Sequence, residues 1–232
     1  MSRVAILNRN LDAVRERIAA ACKRVGRDPS EVTLVAVTKY VDSSIARMLA
    51  DIGQHDLAES RPQELWKKAS DVVGDVSWHF VGHLQTNKVR RTLPLVSMIH
   101  SIDRWELAGE LANEAMKQGL TIRGLLEVKL TDEEAKHGFE PHELRSHWME
   151  LLQLPGITID GLMGMAALDA DEVACRAAFR SLRDLRDILK TPDHPLPILS
   201  MGMSGDFEIA IEEGATHVRV GSALFEGMTG DA

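Results

Sequence analysis

Short apolar runs that alternate with helical patterns are the feature that most limits how this chain can fold. Helical spacing of apolar residues marks stretches such as 43–52, 61–72, 103–118, 141–153 and 170–189. Between and around them lie eight runs with the length and β-branched content of strands: 32–38, 56–59, 77–81, 97–101, 123–129, 158–163, 197–201 and 217–220. The first run is apolar from Val32 to Val37, as a parallel strand buried on both faces should be.

Regular alternation of strands and helices indicates a parallel sheet, and eight strands close a barrel. We therefore predict an α/β fold, a (β/α)8 TIM barrel in which residues 1–232 form a single domain. A doubly wound open sheet is the alternative. Leu7, Leu11, Val14 and Ile18 repeat at helical spacing before the first strand, which predicts an extra N-terminal helix.

Charge and cysteine content exclude several classes of protein. The formal net charge is −8, which argues against nucleic acid or an anionic membrane as the partner. Two isolated cysteines, Cys22 and Cys175, are typical of a reducing compartment. The first residues lack the apolar core of a signal peptide, and no window has the length of a membrane span. We expect a cytoplasmic protein.

A lysine closes the first strand. In a (β/α)8 barrel the chemistry lies at the carboxyl ends of the strands, where Thr38-Lys39-Tyr40 follows the first run. Such a lysine can be a surface residue with a buried aliphatic stem. Alternatively, desolvation leaves its amine uncharged and able to attack an aldehyde, forming a Schiff base. Both interpretations fit the pattern.

Glycine and serine follow the last two strands. The seventh runs into Ser200-Met-Gly-Met-Ser-Gly-Asp206, and the eighth into Gly221-Ser222. Glycine lets backbone N–H groups approach a ligand, serine hydroxyls donate, and helix N-termini carry partial positive charge. Either junction alone could be ordinary helix capping. Together, after strands 7 and 8, they predict a site for a phosphorylated ligand.

Histidines recur without the spacing of a metal site. His79 and His83 could both face one ion, but no third histidine or cysteine falls at a compatible spacing. His137, His142 and His147 are five residues apart, which scatters them around a helix. We predict no metal site and assign no role to the latter three.

Seven segments, in order, make the chain resemble a known family, the YggS-like pyridoxal phosphate (PLP) homeostasis proteins, also called proline synthase co-transcribed proteins. The resemblance covers almost the whole chain, and its central block is the most specific. The segments are Val35-Ala-Val-Thr-Lys-Tyr40, Glu59 with Gln63-Glu64, Trp78-His-Phe-Val-Gly-His-Leu-Gln-Thr-Asn-Lys88, Lys136 with Gly138, Gly161-Leu-Met163, Leu199-Ser-Met-Gly-Met-Ser-Gly-Asp206 and Val218-Arg-Val-Gly-Ser222.

The resemblance implies a monomeric barrel similar to the N-terminal domain of alanine racemase, with PLP joined to Lys39 as a Schiff base. Arg219 is implied to lie near the cofactor and to face its pyridine nitrogen. A fixed positive charge there leaves the nitrogen unprotonated and weakens the ring as an electron sink. The phosphate is implied to be held by four residues, Met203, Ser204, Gly221 and Ser222.

Three positions depart from the family pattern. The usual Gly-Glu-Asn after strand 2 is Ala58-Glu59-Ser60, where Ser60 can still hydrogen-bond and is kept as a cofactor-binding candidate. The asparagine that commonly ends strand 5 is Lys129, and Phe225-Glu-Gly227 replaces Phe-Gly. An added lysine at the mouth can alter ligand preference or compete for the aldehyde.

Two functions from different classes use the same cofactor. The resemblance favours a non-catalytic carrier that holds PLP, limits its free aldehyde and delivers it to apo-enzymes. The alternative is a PLP-dependent amino-acid racemase, which needs acid and base groups on both faces of the substrate. The chain ends shortly after strand 8, so we expect no second domain to supply a tyrosine. Tyr40 neighbours Lys39 in a strand-like stretch, which predicts opposite orientations. A barrel that binds another phosphate ester is the third possibility.

Overall fold

A closed barrel of eight parallel strands forms the centre of the molecule. The structure is a computed structural model that describes residues 2–131 and 137–228. Each strand pairs in parallel with the next, and β1 also pairs with β8, which closes the sheet and excludes the doubly wound alternative. The strands are Thr33–Val37 (β1), Asp56–Glu59 (β2), Ser77–Phe80 (β3), Met98–Ile102 (β4), Ile122–Glu127 (β5), Ile157–Met163 (β6), Ile198–Ser200 (β7) and His217–Val220 (β8).

Helices follow the strands and pack around the barrel, as the periodicity predicts. Several begin where an aspartate side chain accepts backbone N–H groups of the first turn, as Asp42 does from Ser44 and Ile45. The helices are Arg3–Arg24 (α1), Ser43–Asp51 (α2), Pro62–Asp71 (α3), Thr86–Thr92 (α4), Trp105–Gln118 (α5), Pro141–Leu152 (α6), Glu172–Leu189 (α7) and Phe207–Glu212 (α8). The prediction of a (β/α)8 barrel with an extra N-terminal helix is confirmed.

The N-terminal helix α1 packs against α8 and the last short helical turn, Ser222–Leu224. Leu7 and Leu11 are buried in that contact. The Asn10 amide donates to the carbonyl oxygens of Leu224 at 3.0 Å and Glu226 at 2.9 Å. The helix therefore fixes the segment that follows β8, where the sequence predicts half of the phosphate site.

Apolar side chains form a continuous layer between the strands and the helices, and two small clusters fill the barrel interior. One interior cluster contains Met98, Leu125, Met163 and Ile198. The other lies nearer β1 and joins Val35, Val37 and Ala58. Buried polar side chains, among them His100, Ser200 and Arg219, share the interior with these clusters.

Element boundaries differ slightly from the sequence prediction. The first strand ends at Val37, so Lys39 and Tyr40 lie in the turn after it. The proline-rich stretch 191–197 is a loop before β7. Within the described residues, no helix combines the length and the apolar character required to cross a membrane.

Candidate functional site

A cavity of about 370 Å³ opens at the carboxyl ends of the strands. It is lined by residues from the turns after β1, β2 and β7, from β8, and from the turn after β8. All seven cofactor-binding candidates of the sequence analysis line it: Lys39, Ser60, Met203, Ser204, Arg219, Gly221 and Ser222. The fold thus brings together residues up to 183 positions apart in the chain.

A buried ion pair supports the turn that carries Lys39. Lys68 of α3 contacts the Glu59 carboxylate, and both side chains are essentially inaccessible to solvent. The Lys68 ammonium also donates to the Thr38 carbonyl oxygen at 2.8 Å, and the Thr38 hydroxyl donates to Glu59 at 3.1 Å. Glu59 in turn accepts the Ser60 N–H at 3.1 Å. The pair therefore holds the backbone beside two cavity residues.

Sequence reasoning missed Lys68. A usable signal is that Leu65, Lys68 and Val72 share one helical face, and a lysine on a face that points to the sheet must find a partner. The partner Glu59 lies on the neighbouring strand β2 and is hidden from any local pattern.

The predicted opposite orientation of Lys39 and Tyr40 is wrong. The Lys39 Nζ atom lies 4.9 Å from the centroid of the Tyr40 ring, and both residues line the cavity. Strict alternation of side chains holds only within a strand, and β1 has ended before Lys39. The Tyr40 phenol is therefore available at the same opening as the lysine amine.

The two glycine–serine junctions meet around the Ser204 hydroxyl. Its oxygen accepts the backbone N–H of Gly221 at 3.2 Å and that of Ala223 at 3.4 Å. The turns after β7 and β8, which we call the glycine–serine turns, thus bring two backbone N–H groups onto one hydroxyl, and Ser204, Gly221 and Ser222 of these turns line the cavity. Such a set is suited to an anion with several acceptor oxygens.

Glycine is required where these turns approach their neighbours. Gly202 has φ +91°, and an added Cβ would lie 2.8 Å from Cα of Phe207. At Gly221, an added Cβ would lie 3.2 Å from the Val37 carbonyl oxygen. The small residues therefore allow β1, β7 and β8 to close around the cavity.

Arg219 of β8 lies in the cavity wall with 4% of its surface exposed. Its Nη1 atom donates to the carbonyl and hydroxyl oxygens of Ser200, both at 2.7 Å, and Nη2 donates to the Gly164 carbonyl at 3.2 Å. Burial lowers the pKa of Arg219 to about 10, while Glu127 and Asp206 oppose that shift. The guanidinium remains charged at neutral pH and is locked in one orientation.

A hydrogen-bonded chain runs from Arg219 through the barrel interior. The Ser200 hydroxyl contacts Nδ1 of His100 at 2.8 Å, and Nε2 of His100 contacts Nδ1 of His79 at 2.9 Å. The chain ends where Nε2 of His79 contacts the Asp56 carboxylate at 3.0 Å. We call Asp56, His79, His100, Ser200 and Arg219 the interior chain.

Burial holds His100 and His217 in their neutral form. It is the main cause that lowers the pKa of His100 well below its ordinary value, followed by the charge of His79. His217, whose ring centroid lies 6.1 Å from that of His100, has its pKa lowered to about 4 by burial and then by His79. The Asp56 pKa is lowered chiefly by the hydrogen bond from His79.

Glu127, the last residue of β5, is a second group that sequence reasoning missed. Its pKa is raised to about 7, chiefly by burial and then by the charge of Asp103, while Arg219 opposes both. An acidic residue that closes an otherwise apolar strand run is the available sequence signal.

The structure places His79 and His83 apart from each other and places His137 outside the helix α6. His79 points into the barrel, whereas His83 lies beyond β3 and contacts Asp103. His137 precedes α6, so the prediction that it lies on one helix with His142 and His147 is wrong. Its ring stacks on His83 with centroids 4.2 Å apart.

The family departures have different outcomes. Ser60 lines the cavity, which keeps its predicted place. Lys129 pairs with Glu140 at 3.3 Å and is not among the residues that line the cavity. Lys136, part of the resemblance, lies outside the described residues.

The donor set fits a phosphorylated aldehyde. A lysine amine lies at one end of the cavity, and convergent N–H groups with a hydroxyl lie at another. A buried guanidinium completes the wall. PLP carries the three matching groups, namely an aldehyde, a phosphate and a ring nitrogen.

Comparison with known proteins identifies relatives along nearly the full chain. Residues 9–228 match the family described as alanine racemase, N-terminal domain. A protein of Aquifex aeolicus (strain VF5), named pyridoxal phosphate homeostasis protein, is 42% identical over 217 residues, which are 93% of this chain and 95% of that protein.

Solved structures show the same architecture. PipY of Synechococcus elongatus PCC7942, solved with PLP bound, is 36% identical and has a TM-score of 0.82, covering 91% of this chain and 99% of that one. An alanine racemase of Clostridium difficile 630 has a TM-score of 0.78 at 15% identity. That match covers 94% of this chain and 56% of the racemase. The predicted likeness to the N-terminal domain of alanine racemase is confirmed at the level of fold.

Proposed function

Because the chain belongs to the alanine racemase N-terminal domain family and, within it, to the pyridoxal phosphate homeostasis proteins, we propose that it binds PLP in intracellular vitamin B6 homeostasis. It holds the cofactor as a Schiff base on Lys39 and stores or delivers it. The observation that supports this most directly is the single cavity shared by Lys39, Arg219 and the glycine–serine turns.

Each part of the cavity has a separate task. Ser204, Gly221 and Ser222 line the cavity and hold the phosphate, and the backbone N–H groups of Gly221 and Ala223 fix the position of the Ser204 hydroxyl. Ser60 and Met203 complete the wall. When bound, PLP supplies a reactive aldehyde and an electron-withdrawing ring. Arg219 places a fixed charge beside that ring, which keeps its nitrogen unprotonated and suits retention of the cofactor better than catalysis on an amino acid.

The test is the visible absorption spectrum of the purified chain with PLP, for the wild type and for Lys39→Ala. We expect a Schiff-base band in the wild type and none in the variant, because Lys39 is the one lysine that lines the cavity among residues 2–131 and 137–228. Borohydride reduction followed by peptide mass mapping should place the adduct on Lys39.

Lys129→Ala is the matched control, since this lysine also follows a strand but pairs with Glu140. It should keep the wild-type band. A reduced adduct on Lys129, or a band that survives in Lys39→Ala, would contradict the assignment.

A carrier must also release its cargo. Mixed with a PLP-dependent apo-enzyme, the loaded chain should restore activity in proportion to the PLP it carried. Failure to transfer, with the Lys39 band intact, would reject delivery while leaving binding in place.

Weak amino-acid racemisation is the second candidate, and the position of Tyr40 is the observation that favours it. Its phenol shares the cavity opening with Lys39, so both a lysine and a tyrosine are present there. Deuterium exchange at Cα of alanine that is lost in Tyr40→Phe would support this function. Exchange that is undetectable in the wild type would remove it.

A further inference from the structure

Three potential metal ligands converge beside the cofactor cavity. His83 follows β3, Asp103 follows β4, and His137 lies between β5 and α6. One ligand atom from each lies within 4.8 Å of the others. His83 follows Val81, a residue that lines the cavity, by two positions, and the three side chains themselves are not among the residues that line it. Nothing in the proposed PLP role uses these three side chains.

The two imidazoles point at the same carboxylate oxygen. Nδ1 of His83 lies 2.7 Å from Oδ2 of Asp103, and Nδ1 of His137 lies 3.9 Å from that atom. The second distance is too long for a hydrogen bond. The rings stack at 25° to each other, so both nitrogens approach from one side. A single ion among the three atoms would contact all of them after small side-chain rotations.

The charge pattern favours a cation over an anion. The Asp103 side chain is 1% exposed, whereas those of His83 and His137 are 38% and 59% exposed. Arg104 occupies the other Asp103 oxygen, Oδ1, at 2.5 Å and leaves Oδ2 directed at the imidazoles. A carboxylate at the centre repels an anion, while neutral imidazole nitrogens are good ligands for a transition metal.

We propose that His83, Asp103 and His137 bind one divalent transition-metal ion of the Zn²⁺ type. Two nitrogens and one carboxylate oxygen form a donor set that Zn²⁺ accepts, and three protein ligands leave a fourth position open. The exposure of both histidines directs that position to solvent. The competing arrangement has no metal and keeps the direct 2.7 Å hydrogen bond between His83 and Asp103.

Cobalt binding distinguishes the two arrangements, because Co²⁺ is visible where Zn²⁺ is silent. The full chain, first without PLP, is titrated with Co²⁺ and followed by visible absorption, then with Zn²⁺ by calorimetry. We expect one ion per chain and intense tetrahedral bands that Zn²⁺ displaces. His83→Ala, His137→Ala and Asp103→Asn should each weaken binding by more than roughly tenfold.

His142→Ala is the matched control, because this histidine is exposed on α6 and lies outside the group. It should bind the ion as the wild type does. Circular dichroism and the Lys39 absorption band with PLP verify that each variant is folded, which keeps this test separate from the cofactor assignment. No ion bound by the wild type, or equal binding by His83→Ala and wild type, would overturn the proposal.

Discussion

The glycine–serine turns and the interior chain both reach the cavity, but they are built from different groups. The turns offer backbone N–H groups and a hydroxyl, none of which changes charge near neutral pH. The interior chain consists mainly of ionisable side chains, linked at 2.7 to 3.0 Å from Arg219 to Asp56.

The difference shows that one cavity can combine groups that are insensitive to pH with groups whose charge must be maintained. A backbone donor is fixed by the fold and costs little to bury, because it is part of a turn. A buried ionisable group must keep its partner and its protonation state, and each failure has a large free-energy cost. Substitution of an ionisable group, or a change of pH, should therefore change the free energy of unfolding. Substitutions in the turns should change the affinity for the ligand.

The largest effect is expected at the buried ion pair that supports the Lys39 turn. Lys68→Met leaves the Glu59 carboxylate buried without its cation and removes the contact with Thr38. We expect the free energy of unfolding to fall by about 3–5 kcal/mol, measured by urea denaturation.

Lys67→Met is the control for this prediction, because Lys67 precedes Lys68 on the same helix and is exposed. That change should cost less than about 0.5 kcal/mol. An equal free energy of unfolding for Lys68→Met and the wild type would show that removing a partner from a buried charge costs nothing here. The distinction between the ionisable groups and the turns would then be wrong.

The next effect is the loss of stability in acid that His217 causes. The pKa of His217 is about 4 in the folded chain and about 6.5 when unfolded. As pH falls through about 6.5, His217 takes up a proton in the unfolded state but not in the folded state, so its contribution to stability declines until about pH 4. The decline from this residue is about 3 kcal/mol, and His100 shifts in the same direction. Glu127 acts in the opposite direction, because its pKa is raised to about 7 in the folded chain.

Urea denaturation across that pH range compares the wild type with His217→Gln, which should lose less stability than the wild type as the pH falls. Glu127 contributes equally to both proteins. His142→Gln, at an exposed position, should behave as the wild type does. An equal pH dependence in His217→Gln and the wild type would show that His217 is not held neutral.

The smallest effect is expected in the turns. Ser204→Ala removes one hydroxyl but leaves the N–H groups of Gly221 and Ala223 free to bind the phosphate. We expect PLP affinity to fall by roughly tenfold, with the same ratio to wild type at neutral and mildly alkaline pH. Titration of the Schiff-base absorbance measures it. A ratio that changes with pH would show that the turns, too, depend on an ionisable group.

Local sequence patterns were sufficient for the fold and for one side of the cavity. Strand and helix periodicity predicted the order of elements, and Ser204, Gly221 and Ser222 were found because their two junctions follow strands 7 and 8, where this fold binds phosphate. Tyr40 was misplaced because the alternation of side chains in a strand was extended to two residues that lie in the turn after β1.

The ionisable groups could not be predicted in the same way, because their partners are distant in sequence. Lys68 meets Glu59 across two elements, and His100 meets Ser200 across a hundred residues. His83, Asp103 and His137 come from three successive strand ends, so no spacing rule for a single helix or loop describes them.

By itself the sequence determined the eight alternating units, the lysine after the first strand and the small residues after the last two, since each depends on contacts within a few residues. Only the tertiary structure decided which charged groups are buried, what they pair with and which protonation state they keep. Those properties depend on the solvent removed and the charges brought near when the barrel closes, and neither is encoded in any short stretch of the chain.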